Sequence, residues 1–200
     1  MISAMVLAAG QSRRMGTQKL LLPFQGKPLV ARVVEVLLGS PVDQVFVVVS
    51  KEGKSITDAI ADRRVNFVTN THCDQEMLHS VRCGLLAMSE ESVAAMVALG
   101  DQPGITVDIV ARLVRSFHTA GGGIVVPTYQ GKRGHPLLFA MHYRDEILTR
   151  FAGRGLHGLI EAHPQDVSEL EVTTAGILED IDLPEDYQRA IAQLAKERGR

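Results

Sequence analysis

Three clustered cations and three distant acids are the residues best suited to chemistry in this chain. Arg13, Arg14 and Lys19 fall within seven positions of one another in the run Leu7-Ala8-Ala9-Gly10-Gln11-Ser12-Arg13-Arg14-Met15-Gly16-Thr17-Gln18-Lys19. Small residues let a ligand approach the backbone, and successive amides can point into an anionic group. Mobile cations beside such amides suit a polyphosphate. A turn carrying solvated arginines is the plainer reading, but three cations in one glycine-rich loop after a first strand favour phosphate. Neither of the two common phosphate loops is present: Leu20 follows Lys19 where a Walker loop needs Ser or Thr, and Gly-x-Gly-x-x-Gly is absent.

The acids complete the chemistry that a bound polyphosphate requires. Asp101 lies in Gly100-Asp101-Gln102-Pro103, and Asp180 and Asp182 are two apart on a segment expected to be extended, so both face one side. Magnesium takes hard oxygen ligands, commonly one or two carboxylates, with substrate phosphates in the remaining positions. Asp101 would supply the first carboxylate. Asp182, just ahead of a helix start at Pro184, is the preferred second, with Asp180 the alternative. Plainer roles compete: an Asp in a turn usually bonds nearby backbone, and Asp182 would loosely cap the last helix. His72, Cys73, Asp74 and His79 fit no standard zinc spacing. Cys83 has no histidine in fixed relation to it that would mark a nucleophile.

Those residues must be positioned by an alternating α/β chain. Apolar runs without polar alternation predict strands over 4–7, 45–49, 66–68, 93–99 and 124–126. Helices are predicted over 28–38, with Pro28 in the first turn, and over 54–61, 79–88 and 106–119, the last capped by Thr106. The order implies a mostly parallel, Rossmann-like sheet with helices on both faces, a three-layer α/β/α arrangement. Extended runs on either side of Gln130-Gly131-Lys132-Arg133-Gly134 predict a hairpin, hence an antiparallel edge. A helix over 143–150, strands over 169–172 and 177–181 and a helix over 184–197 would follow. No repeat or long linker divides the chain, so one domain over 1–200 is expected. Ligands of open α/β sheets bind at the carboxyl ends of the strands, which selects the loops 8–19, 68–80, 100–103 and 180–182.

Composition narrows the classes further. In 200 residues, 21 Lys and Arg face 23 Asp and Glu for a net charge of -2, and 46% of residues are hydrophobic. A nucleic-acid or membrane-surface binder needs a basic excess, so neither partner is expected. Two cysteines build no disulfide framework. The apolar start lacks a preceding basic residue, with Arg13 and Arg14 coming after it, and no stretch nears the roughly 20 apolar residues of a membrane span. A cytoplasmic location is expected.

The run 7–19 resembles the nucleotidyltransferases that activate cofactors and sugars, and most of all the MobA-like group of molybdenum cofactor cytidylyltransferases and guanylyltransferases. The likeness continues through Leu20-Leu21-Leu22-Pro23-Phe24-Gln25-Gly26-Lys27-Pro28-Leu29 and returns at Gly100-Asp101-Gln102-Pro103, Gly134-His135-Pro136 and Asp180-Ile181-Asp182-Leu183-Pro184-Glu185-Asp186. It implies the fold of nucleotide-diphospho-sugar transferases. It assigns nucleotide contacts to Leu7, Ala8, Ala9, Gly10, Ser12, Arg13, Arg14, Gly16 and Lys19, with Asn70, Ser80 and Gly84 towards the base. Arg14, Lys19 and Asp101 would be catalytic, and Asp101 with Asp182 (or Asp180) would hold Mg2+. Lys132, Arg133 and His135 would shape the pocket for a bulky anionic acceptor, although His135 would serve equally well by fixing the hairpin. Glu76, Leu78 and His79 stand where the family usually has Gly and Ser.

The activity so implied is magnesium-dependent transfer of CMP from CTP to the phosphate of a molybdopterin-type cofactor, releasing pyrophosphate. Ala9, where the guanylyl relatives usually have Gly, favours CTP. The partners would be CTP, a phosphorylated pterin, and a molybdoenzyme or its chaperone as recipient. Two alternatives stand beside this: the same fold using GTP or another NTP on a sugar or polyol phosphate, and a non-catalytic chaperone that binds a pterin.

Overall fold

The computed structural model describes residues 1–10, 15–72 and 76–198, with side chains as far as residue 193. In chain order the elements are β1 (Ile2–Ala8), a small hairpin of β2 (Pro23–Phe24) and β3 (Lys27–Pro28), α1 (Leu29–Leu38), β4 (Gln44–Ser50), α2 (Lys54–Ala59), β5 (Asn66–Asn70), α3 (Met77–Ala87), β6 (Ala94–Leu99) and α4 (Val107–Thr119). β7 (Ile124–Tyr129), β8 (Lys132–Arg133), β9 (Leu137–Ala140), α5 (Arg144–Thr149), α6 (Gly155–Ala162), β10 (Val167–Glu171) and α7 (Pro184–Arg198) complete it.

The main sheet runs β10-β7-β9-β6-β1-β4-β5, with β8 on β7. β1 pairs in parallel with both β4 and β6, β4 with β5, and β7 with β10. Successive strand residues point to opposite faces, yet β1 and β6 are buried at all but one position and β4 at all but its ends. Both faces of the central sheet are therefore covered, which is why these strands lack polar alternation. Thr106 caps α4 as its sequence predicts, its hydroxyl accepting from Ile109 N at 3.3 Å. Among the described residues, no helix is long and apolar enough to cross a membrane.

The expected hairpin forms at Gln130-Gly131, where both residues take positive φ (51° and 74°) and Thr128 faces Arg133. The antiparallel strand does not lie at the edge, however. β9 sits inside the sheet between β6 and β7, antiparallel to both. All four of its residues are buried, a pattern that fits an interior strand better than a margin. Residues 177–181 are not a strand either: a 3-10 turn at Ala175–Ile177 leads into an irregular segment. Ile177 and Ile181 are buried there as single apolar pegs rather than as one face of a ladder. The helix α6 carries Gly155 and Gly158 early in its length, a composition that weakens any helical signal.

Candidate active site

The site assembles where β1 and β6 end side by side. Gly100 N donates to Leu7 O at 3.1 Å, and a Cβ on Gly100 would meet that same oxygen at 3.0 Å and Leu20 Cδ2 at 3.4 Å. The lack of a side chain thus lets the 3-10 turn at Lys19–Leu21 settle across the two strand ends. Leu20 is buried beneath it, so Lys19 is held by an apolar anchor one residue away.

Lys19 Nζ donates to Asp101 Oδ2 at 2.5 Å and to Asp182 Oδ1 at 2.7 Å. One ammonium nitrogen therefore joins two carboxylates, one from mid-chain and one from near the chain's end, to a lysine near its start. The Lys19 side chain is 12% exposed, Asp101 18% and Asp182 37%. Burial works against its charge, but the Asp101 and Asp182 carboxylates outweigh this and hold the Lys19 pKa above its ordinary value. Lys19 is thus a fixed cation throughout the neutral range.

Asp180, the alternative to Asp182, is engaged elsewhere. Its Oδ1 accepts from Gln102 Nε2 at 2.5 Å. Burial and the neighbouring Asp101 and Asp182 charges raise its carboxyl pKa despite the Gln102 bond and Lys19. The two oxygens already converging on a single cation belong to Asp101 and Asp182. They are hard donors and fit a magnesium-type ion. Among the described residues, no group of three or more His, Cys, Asp or Glu gathers as a metal centre, so phosphate and water would complete the shell.

Gly134 and His135, from one of the runs that carry the family likeness, and Gly104, outside them, hold the acid-bearing segment in place. A Cβ on Gly134 would lie 2.2 Å from Ile177 O, and one on Gly104 would lie 2.7 Å from Gly176 Cα. His135 N donates to Ile177 O at 3.0 Å, and Ile181 N to Asp101 O at 3.1 Å. Gly134→Ala is expected to push the 175–177 turn away and cost about 1–3 kcal/mol of stability as an overpacked contact. Thermal unfolding measures this, and an unchanged Tm refutes it. Gly84→Ala should be milder, because its Cβ meets the end of the flexible Met5 side chain at 2.7 Å instead of backbone.

The remaining expected residues divide by location. Leu7, Ala8, Ala9 and Gly10 lie at the end of β1, beside the acids, and Gly16 takes φ +66° in the loop after them. Ser12, Arg13 and Arg14 lie outside the described residues, as does Cys73. Asn70 and Ser80 are buried and joined, Asn70 Nδ2 donating to Ser80 Oγ at 3.0 Å. Gly84 faces Met5 and Val48 in the helix–sheet packing. Glu76 accepts from Gly153 N at 2.7 Å and so braces the loop before α6. His135 is close enough to Asp101 to feel its charge; burial lowers its pKa, with Asp101 opposing, so the ring is neutral at neutral pH. Lys132 and Arg133 are exposed, and Arg133 Nε donates to Glu169 Oε1 on β10 at 2.8 Å, so Arg133 is not turned to the acids. Beside Asp180 and Asp182 a cleft of about 720 Å³ opens, lined also by Arg32, Pro103 and Thr106, a volume in the usual range for small-molecule sites.

The chain is also similar to known proteins over most of its length. Residues 4–167 match the model of the MobA-like NTP transferase domain. The molybdenum cofactor cytidylyltransferase of Escherichia coli (strain K12) is 26% identical over 188 residues, 93% of each chain. The nicotine blue oxidoreductase of Paenarthrobacter nicotinovorans is 26% identical over 199 residues, 95% of this chain and 96% of that one. The crystal structure of Rv0371c from Mycobacterium tuberculosis H37Rv superposes with a TM-score of 0.85 at 25% identity, covering 96% of this chain and 97% of that one. The family match spans most of the chain, and the fold and the Lys19–Asp101–Asp182 cluster suit it: the protein belongs to the MobA-like NTP transferases and is a nucleotidyltransferase.

Proposed function

We propose that this nucleotidyltransferase moves CMP from CTP to the phosphate of a molybdopterin-type cofactor and releases pyrophosphate, as one catalytic domain over 1–200. The observation that carries the reading is the Lys19 ammonium bonded to both Asp101 and Asp182 beside the glycine-rich loop. The full-length likeness to the E. coli cytidylyltransferase and Ala9 in the loop support the pyrimidine nucleotide and the pterin.

Nucleotidyl transfer asks the protein mainly to align two anions and stabilise charge. An acceptor phosphate oxygen attacks the α-phosphorus, the bond to the bridging oxygen breaks, and pyrophosphate leaves. That oxygen is already ionised near neutral pH, so no general base is needed. The amides from Ala8 to Gly10 would cradle the phosphates, with Gly16, Ser12 and Arg13 around them and Asn70 and Ser80 on the base side, backed by Gly84 in the helix–sheet packing. Lys19 and Arg14 would face the charge that develops on the leaving oxygens. Asp101 and Asp182 would hold magnesium, which when bound neutralises phosphate charge and draws the reacting groups into line. His135, neutral and beside Asp101, would meet the acceptor, with Lys132 and Arg133 further out on the hairpin. The enzyme would act in the cytoplasm, where a molybdoenzyme or its chaperone would receive the product.

The test is pyrophosphate release with molybdopterin, magnesium and each of the four NTPs in turn. CTP is expected to exceed GTP by at least about tenfold in kcat/KM, a ratio within reach of one reshaped base contact. A clear preference for ATP or GTP overturns the pyrimidine assignment. Tight nucleotide binding without pyrophosphate release would instead favour a binding protein.

A further inference from the structure

We propose that Gln102 is a positioning residue that sets the separation of the two carboxylates expected to hold the divalent ion. The proposal deepens the reading above and rests on it. Gln102 is 2% exposed. Its Nε2 donates to Asp180 Oδ1 at 2.5 Å and to Ile177 O at 3.4 Å. Those two acceptors fix which way the amide points, because the reverse orientation would set its carbonyl against both of them. As oriented, Oε1 is buried with no hydrogen-bond partner among the described residues. An unmatched buried acceptor is costly, and native folds keep few of them. The Gln102 amide ties two acid-bearing segments together.

The geometry explains how Gln102 acts at a distance. Its main chain is continuous with Asp101 and is pinned by its own N–H, which donates to Leu99 O at 3.3 Å. Its side chain grips the other segment at Ile177 and Asp180. Between these grips, Ile181 N donates to Asp101 O at 3.1 Å. Downstream, Asp186 Oδ2 accepts from Asp182 N at 3.2 Å and Leu183 N at 2.8 Å. Asp182 is therefore suspended between the Gln102 clamp and the start of α7. Releasing the clamp leaves the segment anchored on its downstream side and by single backbone contacts upstream, so Asp182 loses its register against Asp101.

Gln102→Met preserves length and burial but cannot donate. Mn2+ binding to the whole chain without nucleotide, followed by the EPR signal of free Mn2+, is expected to weaken by about tenfold, the usual scale for partners that orient metal ligands. In pyrophosphate release the apparent KM for metal should rise, while kcat at saturating metal changes by less than about threefold. Unaltered Mn2+ affinity in folded Gln102→Met overturns the inference. The Asp180 end reads the same bond should that variant not fold: Asp180→Asn still accepts from Gln102 and should keep clearly tighter Mn2+ binding than Asp180→Leu, whereas equal losses overturn the inference. Asp101→Asn and Asp182→Asn separate the two levels. If they lose Mn2+ while Gln102→Met does not, the inference alone fails. If they bind it as the parent does, the metal reading fails and the inference with it.

Discussion

Replacing Asp101 by Asn is expected to lower kcat by about a hundred- to a thousandfold while the chain remains folded. The substitution keeps size and one acceptor oxygen but removes the charge. Two functions go with it. Among the described partners of Lys19, Asp101 lies closer than Asp182, and it is one of the two oxygen donors expected to hold magnesium. Losing one preorganised charge contact commonly costs about 3–4 kcal/mol in the transition state, which converts to the stated range at about 1.4 kcal/mol per tenfold. The fold should tolerate the change, because Ile181 N bonds the main-chain oxygen of Asp101 and the Asn leaves that contact intact. Pyrophosphate release at saturating CTP and magnesium gives the rate, and a thermal melt checks the fold. A folded variant within about threefold of the parent rate would remove Asp101 from the reaction.

What could be read beforehand follows from how local each feature is. β1, β4 and β6 were legible because strands covered on both faces show as unbroken apolar runs. Asp101 was legible because it follows one such run directly, at the end of the sheet where ligands bind. Lys19 and Asp182 lie 163 positions apart; the strand-end rule put both among the ligand loops, though the strand it assumed at 177–181 does not form, and the family likeness joined them independently. The supports around them lie partly in the runs that carry that likeness, but their contacts were not legible. The approach of Gly134 to Ile177 and the Gln102–Asp180 bond depend on two remote segments meeting, and nothing in either segment alone announces it. The expected strand at 177–181 failed for a related reason: Ile177 and Ile181 are buried, but as isolated pegs under an irregular segment. β9 was recognised as antiparallel but misplaced, because a hairpin identifies a neighbour on one side and is silent about the other. Arg133 looked like an anion ligand, yet Glu169, 36 positions away, claims its guanidinium.

Lys19→Ala should cost about 2–4 kcal/mol in kcat, or roughly thirtyfold to a thousandfold, with a smaller change in the KM for CTP. The reason is where its charge is spent. A ground-state phosphate contact would weaken binding and rate together, whereas a cation facing the leaving oxygens acts mainly as charge develops there. The geometry adds a second, opposite effect. Asp101 Oδ2 and Asp182 Oδ1 lie 2.5 Å and 2.7 Å from the ammonium nitrogen, and the same two oxygens are the ones that would hold magnesium. Ammonium and divalent ion would therefore compete for them, and with a divalent ion in place Lys19 would turn to the phosphates. Removing the ammonium should leave one cation fewer beside the carboxylates and make Mn2+ bind at least as tightly in the absence of nucleotide, even as turnover collapses. Activity and metal affinity thus move in opposite directions for Lys19→Ala, whereas both fall for Asp101→Asn. If Lys19→Ala instead loses Mn2+ affinity in parallel with its rate, the lysine serves to hold the two acids together, and its assignment to the leaving oxygens is wrong.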